Sequence, residues 1–472
     1  MTAVHAGRAV RQALLQAGER RLLTDGAGNS RTGSALAMRV DRLAGALLER
    51  GLAQRRIGLW YWNSLAAIEA FLAVEWLGGT RVPVDPGTSP EEARAIFAAA
   101  EVDAVLCDAA HADCWAGALV HDEGTELMGP PRWPDLTVEG SRSLLLYPRA
   151  VVEGQLLGVP ISYANWAAVM ELNIRLYREG GYGPPIAEDD CYLTAQQLMH
   201  GTSLVGTFPF LMMGLPQVVA RRFEATELLP LIARERVTTT LFVPGMVMRL
   251  TDAVERQPGA PLPFRRILYG GGVLPAAELR RALRVLGSEM VQLYGRLEGG
   301  WPLCVLGAAE HRAIAQGDEL LARSCGRPIR ETELRLRPLA GRAPGEGELW
   351  VRNGMVSEAY ADAEGWCSLG DILWQDERGY LYYRGRLDRM INTGYHVYPE
   401  EVEEALRPLP GIAEVRVVGE PTAAGNDTLV ALIVPLPGIN PAVLLETARS
   451  SLERRLARYK VPREWRFVDR LP

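Results

Sequence analysis

Lysine is almost absent from this sequence: of 51 basic residues in 472, Lys460 is the single lysine and all the others are arginine. Chemistry that needs a lysine elsewhere in the chain is therefore excluded. Long apolar runs are lacking too. None approaches the ~18 residues of a membrane span, and Met1 to Gly18 carries Arg and Gln where a signal peptide needs an apolar core. A cytoplasmic protein with no membrane span is predicted. The six cysteines (Cys107, Cys114, Cys191, Cys304, Cys325, Cys367) form no CxxC and no Cys/His cluster at metal-ligand spacing, so they read as buried thiols. With 51 basic against 57 acidic residues, a net charge of −6 and no basic stripe interleaved with aromatics, nucleic acid is not an expected partner.

What is present is an ordinary globular composition, 48% hydrophobic and 23% charged. At roughly 100 to 200 residues per domain the length suggests two to four domains, enough to enclose a cleft. From Ser34 the spacing Leu36, Val40, Leu43, Leu47 predicts an amphipathic helix closed by Gly51. A strand at Ile57 to Trp62, a helix to Trp76, a strand at Arg81 to Val84 and a helix from Pro90 continue it, and such alternation means parallel βαβ units. It resumes with strands at Leu144 to Tyr147, Cys191 to Ala195, Gln217 to Ala220, Thr239 to Val243, Ile267 to Tyr269 and Val291 to Tyr294. Past Gly326 short β-like runs take over, and from Asp388 a small α+β unit closes the chain. The fold class is α/β: a large N-terminal domain of βαβ sheets with a β-rich subdomain, followed by a small α+β unit.

Several stretches, in order, carry a resemblance. They are LAVEWLGGTRVPVDPGTSPEEAR (72–94), YGGGVLPAAEL (269–279), YGRLE (294–298), GEGELWVRNGMVSEAY (345–360), GWCSLGD (365–371) and GRLDRMINTGYHVYPEEVEEAL (385–406). Together they resemble the adenylate-forming superfamily of acyl- and aryl-CoA synthetases, peptide-synthetase adenylation domains and luciferases. The resemblance implies an acyl- and nucleotide-binding domain over residues 1–385, a hinge at 386–388 and a mobile C-terminal lid over 389–472. ATP or AMP, Mg and a CoA or carrier-protein thiol are the implied cofactors; a small-molecule carboxylate or acyl donor and an acyl carrier protein are the implied partners. By the same resemblance Tyr294 packs on adenine and Gly271 and Gly272 let the backbone approach it. Asp371 and Arg386 contact the ribose, Glu298 is the magnesium ligand and Asp388 the hinge. These roles suit the chemistry, since a carboxylate accepts two hydroxyl hydrogen bonds and magnesium wants hard oxygen ligands. The competing readings of Glu298 and Asp371 are turn carboxylates.

His200, in LMHGTS, matches an aromatic-His pattern beside the acyl pocket; its competing reading is a partly buried helix histidine. Amino-acid-activating relatives place an Asp here to hold the substrate ammonium, and no carboxylate lies between Thr194 and Leu215, which disfavours an α-amino acid. The apolar stripe Leu198, Met199, Leu204, Val205, Phe208, Phe210, Met212 and Met213 suits an acyl or aryl group, or is simply core.

The pattern breaks on the phosphate side. The family follows Tyr147 with a Ser/Thr/Gly-rich loop that ends in lysine, whereas this sequence reads YPRAVVEGQLLGVPISYAN, with Leu157 in the lysine's place and Arg149 as the nearby cation. A triphosphate needs amides freed by glycine plus cationic or hydroxyl donors. Leu297 and Leu369 replace threonines, and Asn392 falls where thioester-forming members often carry lysine. The sequence stops at VDRLP, ahead of the family's Gly-Lys segment, and does not decide whether the natural chain continues. Losing one preorganised donor to a charged transition state costs about 3 to 4 kcal/mol, so adenylation is expected to be impaired. Three readings stay open: a ligase of a hydrophobic or aromatic carboxylate, or of its activated form, with altered ATP use; an ATP-independent acyl transfer or condensation enzyme; and a non-catalytic binding or regulatory relative. His200 and Glu298 are the candidate catalytic residues.

Overall fold

The computed structural model describes all residues except 1–2, 258, 260–261, 288, 423–425 and 472. Among the described residues two large sheets dominate. One has six strands in the order Gln155–Ser162, Ser143–Val152, Thr80–Val84, Arg56–Trp60, Ala104–Cys107 and Leu119–Val120. Its parallel heart, Thr80–Val84 beside Arg56–Trp60 beside Ala104–Cys107, is built from the βαβ units that the alternating pattern predicts. The helix Leu65–Trp76 between two of these strands is buried at every position, as its almost unbroken apolar sequence requires.

The other sheet is parallel through Gln217–Val219, Tyr192–Thr194, Thr239–Phe242, Arg266–Gly270 and Glu289–Arg296. It then continues antiparallel through Gly300–Leu306, Ser324–Pro328, Leu381–Arg386, Cys367–Gln375, Glu346–Arg352 and Glu333–Pro338. That is the β-rich texture seen past Gly326. After Arg386 the strands form separate, smaller sheets: Ile391–Asn392 with His396–Val397, and Ile412–Pro421, Asp427–Pro435 and Glu464–Phe467 flanked by the helices Pro399–Leu406 and Pro441–Arg455. This C-terminal unit has its own apolar core around Val402, Leu406, Val417, Ile433 and Leu452.

The greatest departure from the sequence reading lies at 143–162. The strand expected to stop at Tyr147 runs on to Val152, turns, and returns as Gln155–Ser162. The turn residues Glu153 (φ 50°) and Gly154 (φ 75°) are both left-handed, the arrangement of a two-residue type I′ hairpin. A loop that would wrap phosphates is thus folded into a tight ladder whose amides pair with its own carbonyls.

The C-terminal unit is seated on this hairpin and on the helix Pro90–Ala99. Lys460 Nζ donates to Glu92 Oε1 (2.5 Å) and to Glu401 Oε2 (2.7 Å), and the Ala457 amide donates to Glu92 Oε2 (2.5 Å). The Glu153 amide at the hairpin tip donates to Glu404 (3.0 Å) and the Val151 amide to Glu401 (3.3 Å). Lys460 is 1% exposed. Burial disfavours its charge, but Tyr459, Glu401 and Glu92 raise its affinity for the proton.

Burial pushes the Glu401 carboxyl up to about 7, against the pull of Lys460. Because this value is raised from 4.5, the stabilisation is present below the unfolded value and fades as pH rises through about 7. Limited proteolysis should therefore cut near the 386–388 segment faster at about pH 8 than at about pH 6. Lys460→Met leaves two buried carboxylates unpaired, a loss of about 3 to 5 kcal/mol, and should abolish this protection at both pH values while the N-terminal core melts unchanged.

Candidate functional site

Two clusters of polar side chains hang from one strand, because Tyr147 and Arg149 are alternate residues of Ser143–Val152. The ladder is irregular at Arg149. Leu157 pairs with Ala150 and Gly158 with Pro148, which leaves Arg149 as the extra residue of a β-bulge. Bulges beside active sites re-aim side chains. Here the bulged guanidinium forms an ion pair with Glu298.

Glu298 sits in the turn between Glu289–Arg296 and Gly300–Leu306 and is 4% exposed. Arg296 approaches its other oxygen at 3.2 Å. Burial works against its charge, yet the fields of Arg296 and then Arg149 hold the carboxyl at about 2. The Ser357 amide donates to the Glu298 carbonyl (2.9 Å), and the Ser357 hydroxyl donates to the Pro160 carbonyl (2.5 Å), so hairpin and turn are stitched together.

This donor set does not fit magnesium. At roughly 4 Å and an effective dielectric near 20, each guanidinium would repel a divalent ion by about 8 kcal/mol. Leu297 brings no oxygen.

Tyr294, Asp371, Arg386 and Asp388 form one connected set. Asp371 (2% exposed) faces Arg386 across adjacent antiparallel strands and forms an ion pair with it. The Tyr294 hydroxyl donates to Asp371 Oδ2 (2.5 Å), and Arg386 spans on to Asp388 (2.5 Å). Asp371 is therefore a strand residue, not a turn former. Each of its oxygens keeps a lone pair able to accept one further hydroxyl hydrogen bond. Gly271 (φ 81°) and Gly272 follow the strand Arg266–Gly270, as nucleotide-side turns of open α/β sheets do. From the C-terminal unit, Asn392 Nδ2 approaches the Gly271 carbonyl (3.4 Å).

His200 precedes the helix Gly201–Met212. Tyr147 Oη lies 3.0 Å from its Nδ1. Its Nε2 is 3.3 Å from Asp85 Oδ2, off the line of a well-aligned hydrogen bond. Burial opposes the charge of Asp85, but His200 and the Gly87 amide (2.7 Å) hold its carboxyl below the usual range. Asp85 corrects a step of the sequence argument: a carboxylate does stand beside His200, delivered from VPVDPG rather than from 194–215. The exclusion of an ammonium-bearing substrate on that ground falls.

Tyr395 from the C-terminal unit lies against His200 with ring centroids 5.4 Å apart, and stacks on Tyr459 at 4.4 Å. The strand Ser143–Val152 links the two clusters, through Tyr147 to His200 and through Arg149 to Glu298. The apolar stripe is chiefly core, since Leu204, Phe208 and Phe210 are at most 1% exposed. A cavity of about 540 Å³ opens elsewhere, between the helices Arg8–Ala17 and Tyr163–Glu179, and takes only Met212 from that stripe.

The sequence pattern of AMP-binding enzymes matches residues 10–131 and 153–361, and that of the AMP-binding enzyme C-terminal domain matches 401–472. The chain belongs to the AMP-binding enzyme family. The match lapses over 132–152, the stretch that contains the outgoing strand of the hairpin and Arg149. Indoleacetate–CoA ligase of Aromatoleum aromaticum is 30% identical over 475 residues, 93% of this chain and 89% of that protein. A double-mutant form of o-succinylbenzoate-CoA synthetase from Bacillus subtilis, bound to its product analogue OSB-NCoA, superposes with a TM-score of 0.84 at 22% identity, covering 100% of this chain and 96% of that one. The same synthetase in complex with ATP and magnesium ion gives 0.70 at 23% identity, covering 100% and 97%. Homology to acyl- and aryl-CoA ligases follows, and among the described residues no helix is long and apolar enough to cross a membrane.

Because Glu298 has its affinity for protons depressed, it stabilises the fold above its unfolded value of 4.5, and this is lost as pH falls toward about 2. Glu298→Gln should therefore flatten the acid limb of stability: denaturant midpoints for wild type should drop between about pH 5 and pH 3, and those of the variant should drop less.

Proposed function

We propose that this protein works on the acyl-transfer half of the ligase reaction. In this reading a hydrophobic or aromatic acyl group, supplied already activated, passes to the thiol of CoA or of an acyl carrier protein, and adenylation from ATP is lost or strongly slowed. The observation that carries the reading is the hairpin Ser143–Ser162: it is an antiparallel ladder where the family resemblance implies a phosphate-wrapping loop, and its Val151 and Glu153 amides are given to Glu401 and Glu404 of the C-terminal unit. The aromatic acids named in the indoleacetate and o-succinylbenzoate ligases support the substrate class.

In this reading Asp371, Arg386 and Tyr294 retain the nucleoside, and Gly271 and Gly272 admit the base. His200, set by Tyr147 and Asp85, faces the acyl side. The thiol sulfur attacks the acyl carbonyl, the bond from that carbon to the AMP phosphate oxygen breaks, AMP leaves, and the thiol proton passes to solvent or base.

The test compares two assays on one preparation. Acid-dependent ATP–pyrophosphate exchange should stay at background, while a supplied indoleacetyl or benzoyl adenylate should be converted by CoA to the thioester with release of AMP. Robust exchange would overturn the proposal. Failure of both assays, with the adenylate still bound in calorimetry, would favour the non-catalytic reading. AMP should also bind about as well as ATP, and Asp371→Asn should weaken both by about tenfold, roughly 1.4 kcal/mol. His200→Ala should lower thioester formation and leave AMP affinity unchanged.

A further inference from the structure

We infer that Glu298 is not a metal ligand in this chain and that the Arg149 guanidinium holds, as a fixed cation, the place beside it that the family resemblance assigns to magnesium. Four observations lead there. Glu298 is buried, so its charge needs a cation within contact distance. Arg149 supplies one and Arg296 a second, on opposite oxygens of the carboxylate. Arg149 is the extra residue of a β-bulge in the hairpin, which ties the guanidinium to the same segment that stands where the family resemblance implies the phosphate loop. Finally, Leu297 next in the chain carries no oxygen and packs toward Gly201 and the core, so it adds no hard ligand beside Glu298.

A tethered guanidinium differs from a bound ion in ways that matter. It cannot dissociate, it presents N–H donors in a fixed plane, and it accepts no ligand oxygens into a coordination sphere. Arg149 Nε is buried without an acceptor, so the group keeps donor capacity after pairing with Glu298. An oxyanion such as the phosphate of AMP is the ligand chemistry that would complete it. Charge balance around the carboxylate is thus set by the chain itself and does not depend on metal supply.

The inference concerns charge and metal alone, so it stands or falls separately from the acyl-transfer reading. The experiment is electron paramagnetic resonance of Mn²⁺ titrated into the full chain with and without AMP. Wild type and Glu298→Gln should give the same titration, with no Glu298-dependent bound ion. Arg149→Asp, which replaces the guanidinium by a second carboxylate facing Glu298, should create a manganese site at least about tenfold tighter than wild type. A bound Mn²⁺ signal in wild type that disappears in Glu298→Gln would overturn the inference, as would a well-folded Arg149→Asp that gains no manganese affinity. Should Arg149→Asp fail to fold, the comparison of wild type with Glu298→Gln decides alone.

Discussion

A carboxylate taken out of water must be given a cation or give up its charge, and around Glu298 that constraint shapes the centre of the molecule. Arg296 comes from the strand leading into the turn, and Arg149 from the bulge of the hairpin opposite. Their joint demand fixes the hairpin against the Glu298 turn, and Ser357 secures the same junction through two backbone carbonyls. Tyr294 lies on the strand that enters this turn, and its hydroxyl ties Asp371, and through it Arg386, to the same region.

The hairpin has a structural role in this chain. A glycine-rich loop can close on an anion, whereas a type I′ hairpin presents a fixed edge and a tip. In this chain the tip meets Glu404 and the outgoing strand meets Glu401, both on the first helix of the C-terminal unit. The segment has become part of the seat for the smaller domain. Together with Lys460 between Glu92 and Glu401, it favours one orientation of that domain over others.

Much of this was legible in the residues. The helix Pro399–Leu406 follows from Pro at its first position and acidic residues in its first turn. The parallel strands follow from apolar runs separated by capped helices such as Ser64 before Leu65–Trp76. The returning strand Gln155–Ser162 was not legible, because Glu153 is a non-glycine residue in a left-handed turn position and so gives a weak hairpin signal. Asp85 reads as a turn former in DPG, and only tertiary structure carries it to His200. Arg296 was in plain view within YGRLE, yet spacing alone cannot say that a residue two positions from Glu298 will fold back onto it. Arg149 was recognised as a cation but not as a partner, since bulges leave no periodic trace.

The solitary lysine has a consequence if the chain handles activated acyl groups as proposed. Acyl adenylates and thioesters acylate exposed primary amines, and an enzyme surface rich in lysine is the nearest such target. Here every exposed basic side chain is a guanidinium or an imidazole, and the one ε-amine is 1% exposed and held in two ion pairs. A guanidinium remains protonated and is a poor nucleophile at any physiological pH. On the acyl-transfer reading, this sequence offers an activated acyl group no accessible lysine amine.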